Sequence, residues 1–411
     1  MSIVDERLMF HEDGAAESLA RQILPGGCRR LFRSGVSKRI SLWGDDDSDP
    51  ASLVVVMFPG ENKQSEIDLA LAYGLRFRGD ADLHLVLPLG RAEPSLYRTT
   101  RLAPPITVWE VDGHQLSRLD APTRHVVESS TRLDTNVRLG RRDLGDIESW
   151  LEPLQAWAEG PAGLDPAHRQ SYLSWHYAGR QLLKVTGDRT TLTVTAGIDY
   201  SAHRTGVPMA TVMVLTGPLE PNDLQQIQAA VLEGKRRRDD GTDGENREHA
   251  LQSSLQTGAG IAALGLAGSV LREVPANRPG SRRAYIDLLG VDHDGAIHVI
   301  ETKIGVDAML GLQGLDYWVW ALANRDLLVD YLRSEGHDLV DRPEIVVDFV
   351  VGSKKDGVRP DLRYLAPQAS AFASEVRWRL GHVTGWSSAA PSVQWWPANS
   401  LPDANDGSVQ T

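Results

Sequence analysis

The hydrophobic pattern of the chain changes character twice, which divides it into three stretches. Up to about Gly160, short unbroken apolar runs alternate with helical spacing. Ser52 to Phe58 (SLVVVMF) is apolar after its first residue, the pattern of a strand buried on both faces. Ile67, Leu69, Ala70, Leu71, Ala72 and Leu75 predict a helix over 65–77, with Ser65 as its cap. Leu83–Leu87 and Ile106–Val111 read as further buried strands, so this stretch predicts a βαβ unit in a parallel sheet. Gly160–Pro166, rich in glycine and proline, is the expected linker.

Residues 165–238 predict a small β-rich module. Gln181–Val185 and Thr190–Gly197 form a hairpin, and Met209–Leu215 is a short strand. A helix capped by Asn222 then runs into Lys235-Arg236-Arg237-Arg238. From Glu245 the pattern resets. Glu245 and Glu248 open a helix with acids in its first turn, and Leu251, Leu255 and Ile261 make its apolar side. A hairpin follows at 285–303, then one long helix over Val306–Tyr331 and an apolar strand over Glu344–Val351. A helix over Ala366–Trp378 and a last strand at Val393–Trp396 complete the pattern. The expected fold class is thus multidomain α/β. It comprises an N-terminal parallel-sheet, Rossmann-like domain (1–160), a β-rich accessory module (165–238) and a C-terminal α/β domain (240–397). A disordered tail (398–411) is expected beyond them.

The hairpin carries candidate chemistry. Gly295 suits the left-handed position closing a three-residue loop, His293-Asp294-Gly295. Ala296 then pairs with Asp292, and counting outward places Glu301 opposite Asp287, with Lys303 on the same face. Two carboxylates facing each other across strands repel. A divalent cation between them reverses that penalty, because hard cations seek carboxylate oxygens. The plainer reading is the wet face of a half-exposed sheet.

Composition narrows the rest. A chain of 411 residues is long enough for two or three domains. A net charge of −12 argues against a protein that coats nucleic acid non-specifically, but not against an enzyme acting on it through local basic patches. Such patches occur at Lys235–Arg238 and at Arg278 with Arg282 and Arg283, which adjoin the hairpin. The single cysteine, Cys28, excludes an internal disulfide framework and fits a reducing cytoplasm. Met1–His11 is charged, so no signal peptide is expected, and no apolar run is long enough to span a bilayer. The loop Pro59–Gln64 lacks the glycine spacing of a nucleotide site, and Asp45–Asp49 lacks the glycine and glutamate of a calcium loop.

A helix, a strand with Asp287, a strand ending Glu301-Thr302-Lys303 and a helix with Gln313 and Tyr317 follow in order. This constellation resembles the PD-(D/E)XK, or restriction-endonuclease-like, nuclease superfamily, in particular its RecB-type branch. The phrase Arg283–Lys303 also looks like the nuclease domain of NucS-type endonucleases. The likeness covers about 240–350. Ile286 stands where a proline often precedes the acid, and Thr302 replaces the usual aliphatic residue. The resemblance implies a magnesium-dependent (or manganese-dependent) phosphodiesterase acting on nucleic acid, DNA ahead of RNA. Asp287 and Glu301 would hold the cation, with the Thr302 carbonyl and Glu248 completing its shell, Glu248 being preferred to Glu245. Lys303 would orient the attacking water or stabilise charge on the phosphate. Gln313 and Tyr317 would bond Lys303 or the phosphate, and Arg282 and Arg283 would contact nucleic acid. By analogy with prokaryotic defence effectors, the N-terminal domain would take a small-molecule or protein activator, and double-strand cutting would suit a homodimer. The alternative expectation is a nucleic-acid-binding module with a silent or effector-gated centre.

Overall fold

The computed structural model describes residues 14–34, 39–46, 50–57, 64–131, 144–168, 172–197, 210–240, 247–278, 281–362, 364–388 and 390–396. Their strands form three sheets in a mixed α/β chain. The first sheet has the order β1 (Arg29–Arg33), β2 (Ile40–Gly44), β3 (Ser52–Met57), β4 (Asp82–Pro88), β5 (Thr107–Asp112), β6 (Gln115–Leu119). Only β3–β4–β5 is parallel, with the helix Gln64–Phe77 as its first crossover. The expected βαβ unit is present, but the sheet that holds it is mixed rather than parallel. The links β1–β2, β2–β3 and β5–β6 are too short for a crossover, so those pairs are antiparallel.

The second sheet is an antiparallel meander of β7 (Asp165–His168), β8 (Leu173–Tyr177), β9 (Arg180–Gly187), β10 (Leu192–Ala196) and β11 (Thr211–Leu215). The helix Pro221–Asp239 covers it with buried Ile227 and Val231. That helix starts with proline behind Glu220, so Asn222 is not its cap. The expected linker is packed rather than free, since Ala162 and Leu164 belong to this module's core. The basic cluster is consumed locally. Arg236 and Arg237 pair with Glu233, Lys235 Nζ donates to the Ala162 carbonyl, and Arg238 donates to the Ala178 carbonyl.

The third sheet has the order β12 (Leu266–Arg278), β13 (Ser281–Asp292), β14 (Ile297–Ile304), β15 (Ile345–Gly352), β16 (Arg377–Thr384), β17 (Ser392–Trp395). The central pairs β14–β15 and β15–β16 are parallel. Two expectations are corrected here, and one strand is additional. The strand β12 has no counterpart in the apolar pattern, because Gly268, Pro275 and a left-handed Glu273 interrupt it. The long helix over 306–331 is two, Leu310–Ala323 and Arg325–Ser334, broken at Asn324, whose amide donates to the Trp320 and Thr131 carbonyls. The helix over 366–378 stops at Ser370, and Trp378 and Leu380 instead bury themselves on β16 beside β15. Residues 397–411, including the expected tail, and Glu245 lie outside the described residues. Among the described residues no helix is long and apolar enough to cross a membrane.

One hydrophobic core runs from the first sheet to the third. Leu53, Val55, Leu69 and Leu85 share it with Leu315, Trp320, Ile286 and Phe349. The helix Leu310–Ala323 is buried nearly all round within it. Gly314 permits its close seat on β15, since a Cβ there would meet the Phe349 ring at 2.4 Å. Asp316, 1 % exposed, lies on this helix and is neutralised from across the core. Arg98 Nε and Nη2 each donate to an Asp316 carboxylate oxygen at 2.8 Å, while Nη1 donates to Asp68. Arg278 adds a bond to Asp316 at 3.1 Å. Removing one partner of such a buried set leaves charge uncompensated. Arg98→Met should therefore cost about 3–5 kcal/mol in denaturant unfolding, whereas Arg236→Ala, at the exposed pair with Glu233, should leave the unfolding midpoint nearly where it was.

Candidate active site

The hairpin forms in the register that its turn dictates. Gly295 adopts φ +81°, the Asp292 N–H donates to the Ala296 carbonyl, and Leu288 pairs with Ile300. The next pair outward along this antiparallel ladder is Asp287 with Glu301. Regular main-chain pairing ends there, and the two carboxylates act as acceptors in its place. Asp287 Oδ2 accepts the Thr302 N–H at 2.8 Å and the Thr302 hydroxyl at 2.7 Å. Glu301 Oε1 accepts the Asp287 N–H at 3.4 Å, a stretched bond.

Glu301 is only 4 % exposed. A buried carboxylate with one weak donor holds its proton more tightly, because low dielectric disfavours the anion. Burial first, and the facing Asp287 second, raise the Glu301 carboxyl well above its ordinary range. Asp287 is pushed up to about 6, chiefly by burial, with the Thr302 N–H and hydroxyl pulling it back and Glu248 adding to the rise.

Lys303 Nζ lies 3.0 Å from Glu248 Oε1 and 3.2 Å from Asp307 Oδ2. Burial opposes the ammonium charge, but these two acids outweigh it and raise its pKa, so Lys303 is a cation. Glu248 reaches the site from the helix Arg247–Leu255. That helix is braced by the accessory module. The β8–β9 turn at Gly179 abuts the His249 backbone, where a Cβ would stand 2.1 Å from the His249 carbonyl oxygen, and Asp165 accepts from the Ser253 hydroxyl.

Tyr317 is buried near the acids, and burial followed by Glu301 raises its hydroxyl pKa. The Arg278 guanidinium lies over its ring at 5.7 Å. Gln313 is half-buried one turn earlier on the same helix. Neither is a partner of Lys303, whose ion pairs are with Glu248 and Asp307. The structure thus brings Asp287, Glu301, Thr302, Lys303 and Glu248 together, with Tyr317 beside them. The side chains of Arg282 and Arg283 lie outside the described residues. Sequence reasoning missed Asp307, although an acid four residues after Lys303 and just ahead of a helix was a legible signal. It also missed Gln252 and Arg272, which carry none.

Among the described residues no group of three or more His, Cys, Asp or Glu is arranged to hold a metal ion. The donor set still suits a hard divalent cation. Magnesium is commonly held by one or two carboxylates, with waters and substrate phosphates filling its shell, and Glu301 is a buried carboxylate short of donors. A cavity of about 540 Å³ lies elsewhere, at the turn end of the hairpin beside Asp292, His293 and His337. It is separated from Asp287 by roughly 17 Å of strand. Near that end His298 bridges Asp348 at 2.8 Å and Asp292 at 3.2 Å. Burial lowers and Asp348 raises its pKa, the latter prevailing. No family model matches the chain, and no curated protein or solved structure matches it.

A carboxyl with a pKa near 4 unfolded and about 6 folded binds its proton more tightly in the folded state. The protein therefore loses stability from this group as pH rises from 4 to 6, and the loss persists above 6. In chelator-containing buffer, Asp287→Asn should gain stability over wild type across that window, keep the gain at pH 7 and show the smallest difference below pH 4. Thermal unfolding across pH checks this.

Proposed function

We propose that the chain is a divalent-metal-dependent nuclease that hydrolyses phosphodiester bonds of nucleic acid, DNA ahead of RNA. The observation that carries this reading is the placement of Asp287 opposite Glu301 across the hairpin, with the charged Lys303 beside them and Glu248 within its reach. Asp287 and Glu301 would hold magnesium or manganese, Glu248 and the Thr302 carbonyl would add to the shell, and the cation would supply charge neutralisation and a more acidic water. Hydrolysis forms one P–O bond from water and breaks one P–O ester bond, leaving a phosphate monoester and a free hydroxyl. Lys303 places a fixed positive charge where negative charge grows on the phosphate, a role its two acidic neighbours support by keeping it protonated. Tyr317, with its hydroxyl held neutral, is a hydrogen-bond donor beside the two acids.

The second reading is an effector-gated centre. It is favoured by the double engagement of Lys303, whose ion pairs with Glu248 and Asp307 leave one of its three N–H donors for substrate. The core shared with the first sheet offers a route by which a ligand of that region would shift the helix Leu310–Ala323.

Incubation of the full chain with single- and double-stranded DNA and RNA, with Mg²⁺ or Mn²⁺, tests both readings. Asp287→Ala and Lys303→Ala should each lower metal-dependent cleavage by at least about 100-fold. Metal-dependent cleavage that survives both substitutions overturns the site. Cleavage appearing only on addition of a nucleotide or partner supports the gated reading.

A further inference from the structure

A buried relay of four side chains ends on Asp287. Arg272 on β12 donates from Nη2 to Gln252 Oε1 at 3.1 Å. Gln252 donates from Nε2 to Thr302 Oγ1 at 3.2 Å, and Thr302 Oγ1 donates to Asp287 Oδ2 at 2.7 Å. Arg272, Gln252 and Thr302 are all buried, so water does not compete for these bonds.

The direction of each bond follows from the first. A guanidinium only donates, so the Gln252 atom facing Arg272 must be its carbonyl oxygen. That choice settles the amide orientation and turns Nε2 toward Thr302 as a donor. The Thr302 oxygen is thereby an acceptor for Gln252, and its one proton is directed at Asp287. The same Oδ2 also takes the Thr302 N–H at 2.8 Å. A carboxylate oxygen has two lone-pair sites, so Oδ2 is filled. Oδ1 is then the oxygen left for another ligand.

We infer that Arg272 and Gln252 are positioning residues, which set the direction of the Thr302 hydroxyl and so commit Asp287 to a divalent cation through Oδ1 alone. The relay explains why threonine, rather than an aliphatic residue, stands between Glu301 and Lys303: only a hydroxyl passes the orientation on. Its far end touches the accessory module, because Arg272 Nη2 also reaches the Gly179 carbonyl at 3.4 Å in the β8–β9 turn. The module thus bears on the geometry of Asp287 as well as on the Glu248 helix.

This inference rests on the reading of Asp287 as a cation ligand, and Mn²⁺ affinity of the full chain, followed by electron paramagnetic resonance, separates the two. Thr302→Val keeps the N–H and shape but removes the hydroxyl, and should weaken Mn²⁺ binding roughly 10- to 100-fold, the usual effect of losing a ligand's own partner. Thr302→Ser should restore wild-type binding. Gln252→Met should weaken binding in the parent and add nothing in the Thr302→Val background, since both act through one hydroxyl. Mn²⁺ affinity unchanged in Thr302→Val, or additive losses in the double variant, overturns the relay while leaving the site intact. Failure of wild type to bind Mn²⁺ overturns both. Should Gln252→Met not fold, as melting would reveal, the valine and serine variants at 302 decide the question alone.

Discussion

Asp316 is a carboxylate in the middle of a helix whose surroundings are almost entirely apolar, and its charge is met there chiefly by Arg98. Without that guanidinium the buried carboxylate would be left largely uncompensated, a cost that offsets part of what the helix gains from its leucines and tryptophans. With it, the helix Leu310–Ala323 becomes a shared member of the first and third sheets, and their cores merge. Arg278 extends the same set of charges to the ring of Tyr317 and toward Glu301. The site is therefore coupled electrostatically to residues more than two hundred positions away in the chain.

At the site the balance of charge is reversed. Asp287, Glu301, Glu248 and Asp307 converge around Lys303, and the two innermost acids are driven toward their neutral forms by burial and mutual repulsion. Such an arrangement is unfavourable for folding alone and becomes favourable when a cation or a proton arrives. It is the kind of local cost that functional sites carry and that the surrounding packing must offset.

Among its described residues the accessory module brings together no candidate site, yet two of its contacts bear on the acids. The Gly179 turn seats the helix of Glu248, and the Gly179 carbonyl takes one bond from Arg272. Its basic cluster, the most conspicuous charge run of the chain, is spent on its own acids and carbonyls.

Residue order alone determined the hairpin. Apolar arms, a glycine able to adopt positive φ and a three-residue loop leave one register, and that register puts Asp287 opposite Glu301 with Lys303 on the same face. The buried strand β3, its following helix and the β9–β10 hairpin were legible for the same reason, because local periodicity reports burial. Tertiary structure decided what periodicity does not encode. Trp378 and Leu380 form a strand because β15 offers a parallel edge, and β12 forms despite its glycine and proline because β13 pairs along its length. Gln252, Arg272 and Asp316 acquire their meaning from partners brought near by folding, since a hydrogen bond or ion pair between distant residues leaves no repeat in the sequence. Asp287, Glu301 and Glu248 were named by the sequence pattern, and Asp307 was not. How deeply they are buried, and which of their oxygens remain free, was set by the packing around them.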